Sequence, residues 1–205
     1  MDLVKLQESI AGVDIYLLDQ ILKKRYQENA VLLDAGCGQG RNLRWFYQND
    51  YTVFGVDHSE KAIAAVKENY PAQAANFSVQ ALDALSFSDA SFDHVISSAV
   101  LHFAQNKIHF LHMFSELIRV LKPGGSLFIR MASIQGLEKL VKSQGNGVYA
   151  IPDGSFRFLL DQDLLKTVMS RFSITALEPL KTVNVANLRA MSTLVFQKNN
   201  EEKDL

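Results

Sequence analysis

The chain has 205 residues, 48% of them hydrophobic and 21% charged, so it can bury a full core and is neither a disordered tail nor two independent enzymes. Lys and Arg number 21 against 22 Asp and Glu, a net charge of −1 that argues against a broad electrostatic footprint for nucleic acid or anionic membrane. Cys37 stands alone and forms no intramolecular disulfide, the first residues lack a secretory leader pattern, and no apolar run approaches a membrane span. One domain over residues 1–205 is expected, cytoplasmic, monomeric or homodimeric, with no nucleic-acid or membrane partner.

Leu3, Leu6, Ile10, Val13, Leu17, Ile21 and Leu22 recur at steps of three and four, which predicts one amphipathic helix ending near Tyr26. Ala30–Asp34 is a short apolar run of the kind buried in a parallel sheet, followed by a glycine turn and a helical stretch holding Leu43, Phe46 and Tyr47. Thr52–Val56 reads as a strand and Glu60–Asn69 as a helix with Ser59 at its N-cap. Phe77–Gln80 and Phe92–Ser98 are further strands. Asn106–Leu121 is a long helix that Lys122-Pro123-Gly124-Gly125 stops, since proline cannot continue it and glycine takes the left-handed conformation of a helix end. Ser126–Ala132 is the fifth strand, and the alternation predicts an α/β, doubly wound sheet with right-handed crossovers.

The pattern then changes. A helical segment around Leu137–Val141 is followed by Val148–Ile151 and Phe156–Leu160, which flank Pro152-Asp153-Gly154 as the arms of a hairpin. Residues 133–160 are therefore expected as a small helix-and-hairpin insertion after the fifth strand, covering the substrate. Asp161–Arg171 returns to helix, Phe172–Val183 and Met191–Lys198 read as two closing strands, and the polar 199–205 tail is expected to fray.

Ligands of open parallel sheets bind beyond the C-terminal strand ends. The first strand leads into Asp34-Ala35-Gly36-Cys37-Gly38-Gln39-Gly40-Arg41-Asn42, where three alternate glycines favour a ligand over a turn that needs glycine only for its geometry. A dinucleotide fingerprint wants a small residue where Arg41 stands, and Asp34 would oppose a pyrophosphate but suits an ammonium group. Asp57 ends the second strand with two acceptor oxygens for ribose hydroxyls, as both NAD and adenosyl ligands require. Asp83, after the third strand, either meets an adenine amino group or is a solvated loop acid.

The segments Val31 to Gly40, Val56-Asp57, Leu82-Asp83-Ala84, Phe92 to Ser98 and Leu121 to Gly125 resemble, in order and spacing, the successive motifs of class I S-adenosylmethionine-dependent methyltransferases. The resemblance covers Val31–Ala132 and implies a Rossmann-like seven-stranded sheet ordered 3-2-1-4-5-7-6 with strand 7 antiparallel. It implies S-adenosylmethionine as cofactor and S-adenosylhomocysteine as product. Gly36, Gly38 and Gly40 would line the methionine moiety, Asp57 would hold the ribose, Asp83 with Ala84 would meet the adenine, and Ser97 or Ser98 would close the methionine end. Cys37, Arg41, Asn42 and His58 complete the expected cofactor set: Cys37 as a small packed side chain in the turn, His58 against the adenosine edge. Arg41 is expected to pair with Asp34, with Glu60 or with an acceptor carboxylate. The Gly40-Arg41-Asn42 continuation is similar to tellurite-resistance-type and related small-molecule methyltransferases.

A sulfonium methyl is already activated, so in-line transfer needs alignment and exclusion of water, with a base only where the acceptor has a proton to lose. His102 is the histidine best placed to face the methyl, either as a general base or as a packing histidine. His109 and His112 lie three apart without an identifiable third ligand, so no metal is expected. Tyr149, Phe156, Arg157 and Phe158 either close over an apolar or anionic acceptor or form the hairpin's own buried face, with Arg130 a further anion contact. Methyltransferases acting on exocyclic nitrogens of nucleobases commonly carry an Asn-Pro-Pro-Tyr-like motif where this chain has Ser97-Ser98-Ala99-Val100. The expected function is methyl transfer to a small-molecule acceptor. The alternatives are a non-catalytic cofactor-binding module and a nicotinamide-dependent oxidoreductase, which Arg41, Asp34 and the Lys-Pro-Gly-Gly motif disfavour.

Overall fold

A computed structural model describes residues 2–200. The N-terminal apolar stretch forms two helices rather than one, α1 (Leu3–Ile10) and α2 (Ile15–Leu22). Gly12 takes φ +79°, and Asp14 caps α2 by accepting the Tyr16 backbone N–H, so a stop and a start interrupt the hydrophobic period.

Strands β1 (Val31–Ala35), β2 (Thr52–Asp57), β3 (Phe77–Val79), β4 (Phe92–Ser98) and β5 (Leu121–Ser133) are parallel neighbours in the order 3-2-1-4-5. The connecting helices are α3 (Arg44–Gln48), α4 (Glu60–Asn69) and α5 (Lys107–Val120), the last two capped by the side chains of Ser59 and Asn106. One face of the sheet buries Leu33, Val95, Leu127 and Ile129 against Phe110, Phe114 and Leu117 of α5. The other buries Leu32, Val53, Ile96 and Phe128 against Leu17, Phe46 and Ile63. This alternation along strands covered on both sides accounts for their apolar character.

The end of α5 differs from expectation. Leu121 already pairs with Phe92, and the ladder resumes at Ser126 opposite His94, so Lys122–Gly125 is a bulge within β5. Gly124, at φ +78°, turns that bulge rather than the helix end. The Lys122 ammonium donates to Asp93 at 2.7 Å across it.

A helix, α6 (Gln162–Arg171), leads to the far edge of the sheet, where the expected sixth strand is in two pieces. β9 (Ile174–Ala176) and β10 (Lys181–Val185) both pair with β11 (Arg189–Lys198), which runs antiparallel to β5. Pro179, lacking an N–H, lies between the pieces. The order 3-2-1-4-5-7-6 with an antiparallel strand 7 is thus observed. Asn199 is tied back, its N–H donating to the Ser173 carbonyl at 2.9 Å, and residues 201–205 of the expected frayed tail lie outside the described residues.

Between β5 and α6 stands a three-stranded antiparallel sheet, β6 (Lys142–Gly145), β7 (Val148–Ala150) and β8 (Phe156–Phe158). The expected helix at Leu137–Val141 is a run of turns instead, with Val141 N–H donating to Leu137 at 3.1 Å. Gly136 at φ +77° precedes it and exposed polar residues follow, leaving too short a segment to sustain a helix. The Pro152-Asp153-Gly154 hairpin forms, and Gly145-Asn146-Gly147 makes a second. The Phe158 ring stacks on Phe110 at 5.2 Å, fixing the small sheet to α5.

Candidate functional site

The C-terminal ends of β1, β2 and β4 open into a cleft of about 580 Å³ whose walls include Gly36, Asp57, Asp83, Ser98, Val100 and Phe103. A separate cavity of about 500 Å³, lined by Glu8, Arg41, Arg44 and Tyr70 among others, shares no wall residue with it.

The three turn glycines have different reasons for being glycine. A Cβ on Gly36 would collide with Val100, and one on Gly40 with Tyr70 and Val66. Gly38, at φ +53°, has nothing within 4 Å of where its Cβ would be, which leaves an open cradle. Its N–H donates to one oxygen of Asp57 at 2.9 Å, and the Ser59 N–H donates to the other at 2.9 Å. Asp57 therefore holds the ends of β1 and β2 together and still has lone pairs free. His58 beside it is 92% exposed, with Nδ1 3.4 Å from Asp57. Cys37 points inward at the bare face of Gly55, and burial pushes its thiol up, out of reactive range.

Asp34 is 1% exposed, and its Oδ1 has no hydrogen-bond partner. Burial pushes its carboxyl up to about 7; Arg41 opposes the shift and the charge of Asp57 adds to it. A buried carboxylate oxygen without a partner is costly, and a cationic group would relieve it. In the cleft wall, Asp83 faces His109 Nε2 at 3.6 Å. Ala84 is exposed in the same turn and does not join the wall.

Several expected site residues are engaged by the protein itself, and most of those bonds meet at Asp14, which sequence reasoning missed. Asp14 is 3% exposed. Its Oδ2 accepts the Ser98 hydroxyl at 3.3 Å and Arg130 Nη1 at 2.8 Å, and its N–H donates to Asn42 Oδ1 at 3.0 Å. Arg130, expected to meet an acceptor anion, is thus ion-paired with Asp14, its guanidinium 5.2 Å over the Tyr16 ring. Arg41 pairs with neither Asp34 nor Glu60: its Nη1 donates to the Gly12 carbonyl at 2.9 Å, pinning the α1–α2 connection. Ser97 is fully buried with its hydroxyl unpartnered. Ala99, also missed, takes a left-handed φ of +64° in the cleft wall, its N–H held by the Arg130 carbonyl at 2.7 Å.

His102 does not face the cleft. Its Nδ1 accepts the Ala132 N–H at 3.2 Å, so the neutral ring carries its proton on Nε2 and neither nitrogen is a free base. Burial, reinforced by Arg157 and Arg189, pushes its pKa down to about 4. The ring packs edge-on against Phe103 at 4.6 Å and so positions a wall residue. Arg157 and Tyr149 are paired across β7 and β8, and the Arg157 guanidinium lies 4.8 Å over Phe103. Among the described residues no group of three or more His, Cys, Asp or Glu gathers as a metal site. No helix among them is long and apolar enough to cross a membrane.

A methyltransferase-domain family model matches residues 33–129. An uncharacterised methyltransferase of Schizosaccharomyces pombe is 30% identical over 58% of this chain and 83% of its own length. The 27-O-demethylrifamycin SV methyltransferase of Amycolatopsis mediterranei is 36% identical over 58% of this chain, which spans only 47% of that enzyme. A solved structure of an S-adenosylmethionine-dependent methyltransferase from Methanosarcina mazei superposes with a TM-score of 0.73 at 21% identity, covering 88% of this chain and 98% of its own. Fold, cleft and sequence together define a cofactor-dependent group-transfer domain on a Rossmann-like sheet. The chain belongs to the class I S-adenosylmethionine-dependent methyltransferases, and S-adenosylmethionine is its cofactor. The residues present fit that group: the partnerless Asp34 oxygen suits an ammonium, the bare Gly38 leaves room, and Asp57 offers acceptors to a ribose.

Proposed function

We propose that this chain transfers the methyl group of S-adenosylmethionine to a small-molecule acceptor. The observation that carries the reading is the buried Asp34 carboxylate near the end of β1, two residues before Gly36 of the cleft wall, with one oxygen that no protein group satisfies. Asp34 would hold the cofactor's ammonium, Asp57 its ribose and Asp83 its adenine edge, while the bare Gly38 leaves room for the methionine moiety. When bound, the cofactor supplies an electrophilic methyl on a positive sulfur. The chain's own contribution is alignment and shielding from water by Val100, Phe103 and the Asp14-anchored N-terminal segment, with Tyr149 and Arg157 on the acceptor side. His102 acts by positioning Phe103, not by taking a proton. Near-neutral charge and the rifamycin relative's small-molecule acceptor support this acceptor class over nucleic acid.

Calorimetry with S-adenosylmethionine and S-adenosylhomocysteine tests the reading. Micromolar binding of both is expected, followed by methyl transfer to a member of a small-acceptor screen. Absence of binding to either would remove the enzyme reading.

A further inference from the structure

We propose that the acceptor carries a carboxylate and that Arg157 recognises it; the inference rests on the methyl-transfer reading above. Four arginines of this chain are half-buried: Arg25, Arg119, Arg130 and Arg157. Arg25 pairs with Glu178 at 2.8 Å, Arg119 with Glu116 at 2.7 Å and Arg130 with Asp14 at 2.8 Å. Arg157 is the exception. Among the described residues it has no carboxylate partner, and its Nη1 donates only to the neighbouring Phe156 carbonyl, at 2.7 Å. A half-buried cation is costly unless an anion meets it, and the other three show how this fold ordinarily meets that cost.

The place of Arg157 points to a ligand anion. Its guanidinium carbon lies 4.8 Å from the centroid of Phe103, a ring that lines the cofactor cleft yet is 59% exposed. Opposite it on β7 is Tyr149, which packs with Ala132, Ile151 and Leu159 at the end of β5. A charged fork is thus set against an apolar wall at the rim of the cleft. The nearby carboxylate of Asp153 accepts the Ser155 N–H and hydroxyl through Oδ1, at 2.9 and 2.6 Å, and attracts Arg157 only through space, with no ion pair between them. Arg189 adds positive charge to the same end of the molecule, where both guanidiniums act on His102. A planar guanidinium binds a carboxylate through two parallel N–H bonds, while Phe103 and Tyr149 offer faces to an apolar or aromatic body. The carboxylate is a handle that orients the acceptor, distinct from the atom that receives the methyl.

The test uses protein saturated with S-adenosylhomocysteine and ligand-observed NMR titration of matched pairs: benzoate and benzamide, salicylate and salicylamide, phenylacetate and phenylacetamide. Each carboxylate is expected to bind about tenfold or more tighter than its amide. Arg157→Gln should abolish the preference and Arg157→Lys should keep part of it, with S-adenosylhomocysteine affinity unchanged and no loss of melting temperature in either. Equal binding of acid and amide by the wild type, or a preference that survives Arg157→Gln, overturns the proposal while leaving methyl transfer standing. Failure of S-adenosylhomocysteine itself to bind removes both.

Discussion

Replacing Asp34 with Asn should make the ligand-free protein more stable and unable to bind its cofactor. In the fold the Asp34 carboxyl sits at about 7 against an ordinary 3.8, because burial opposes its charge. Between those values the folded chain holds a proton that the unfolded chain has released, so this group lowers stability as pH rises through that window. Three units at about 1.4 kcal/mol each amount to about 4 kcal/mol once Asp34 is ionised. Asn keeps the shape and cannot ionise, but its amide must find partners in a dry site at a cost of about 1–3 kcal/mol. A net gain of about 2 kcal/mol corresponds to a melting temperature about 4–8 °C higher for a domain of this size. His94 and His102, both pushed down to about 4 by burial, act in the opposite direction between about 4 and 6.5, so the informative quantity is the difference between wild type and variant. Thermal melts from about pH 5 to pH 8, with and without saturating S-adenosylhomocysteine, measure it. The variant should gain on the wild type as pH rises, and ligand should raise only the wild-type melting point. Parallel pH profiles, or a variant less stable than wild type at the alkaline end, would refute the assignment of a strained, ligand-seeking carboxylate.

Gly38→Ala and Gly40→Ala should separate binding from folding. The first meets open space and should weaken S-adenosylhomocysteine binding while costing about 1 kcal/mol of backbone strain; the second collides with Tyr70 and Val66 and should lower the melting temperature far more. Comparable losses of stability in the two variants would contradict this division. Asp57→Ala should weaken cofactor binding at least about tenfold by calorimetry, since it removes two charge-assisted acceptors and frees the Gly38 and Ser59 amides; an unchanged affinity would displace the ribose from this position. Glu178, whose side chain is only 9% exposed, draws in Lys23, Arg25 and Lys181. Burial raises its pKa, but those cations together hold it below the usual carboxylate range, so its contribution is present near neutrality and lost as pH falls below about 4. Glu178→Gln should cost about 1 kcal/mol in denaturant melts, less at high salt, without touching cofactor affinity.

Most of the frame was legible because its signals are local. Ser59 before Glu60–Asn69, the apolar β4, and an acid at the end of β2 each read directly from neighbouring residues. The break in the N-terminal helix was also written in Gly12 and Asp14, but the continuous apolar period outweighed it. Lys142-Ser143-Gln144-Gly145 has no apolar alternation, and its strand state comes from pairing with β7. At the site, the glycine turn and Asp57 were visible, whereas the engagement of Arg130, Asn42 and Ser98 by Asp14 was not. Nothing at position 130 indicates a partner at position 14. His102 was misjudged as a methyl-facing base for the same reason, since the Ala132 amide that occupies it belongs to another strand.

Asp14 bonds to residues 28, 84 and 116 positions further along the chain. At about 5–20 residues per second, a ribosome makes this anchor roughly 6 to 23 seconds before Arg130 exists. The N-terminal helices therefore wait, without their buried ion pair, until β4 and β5 have been synthesised and paired. Whatever order the sheet assembles in, this side of the cleft closes only when a segment among the first to be made meets a strand made 116 residues later.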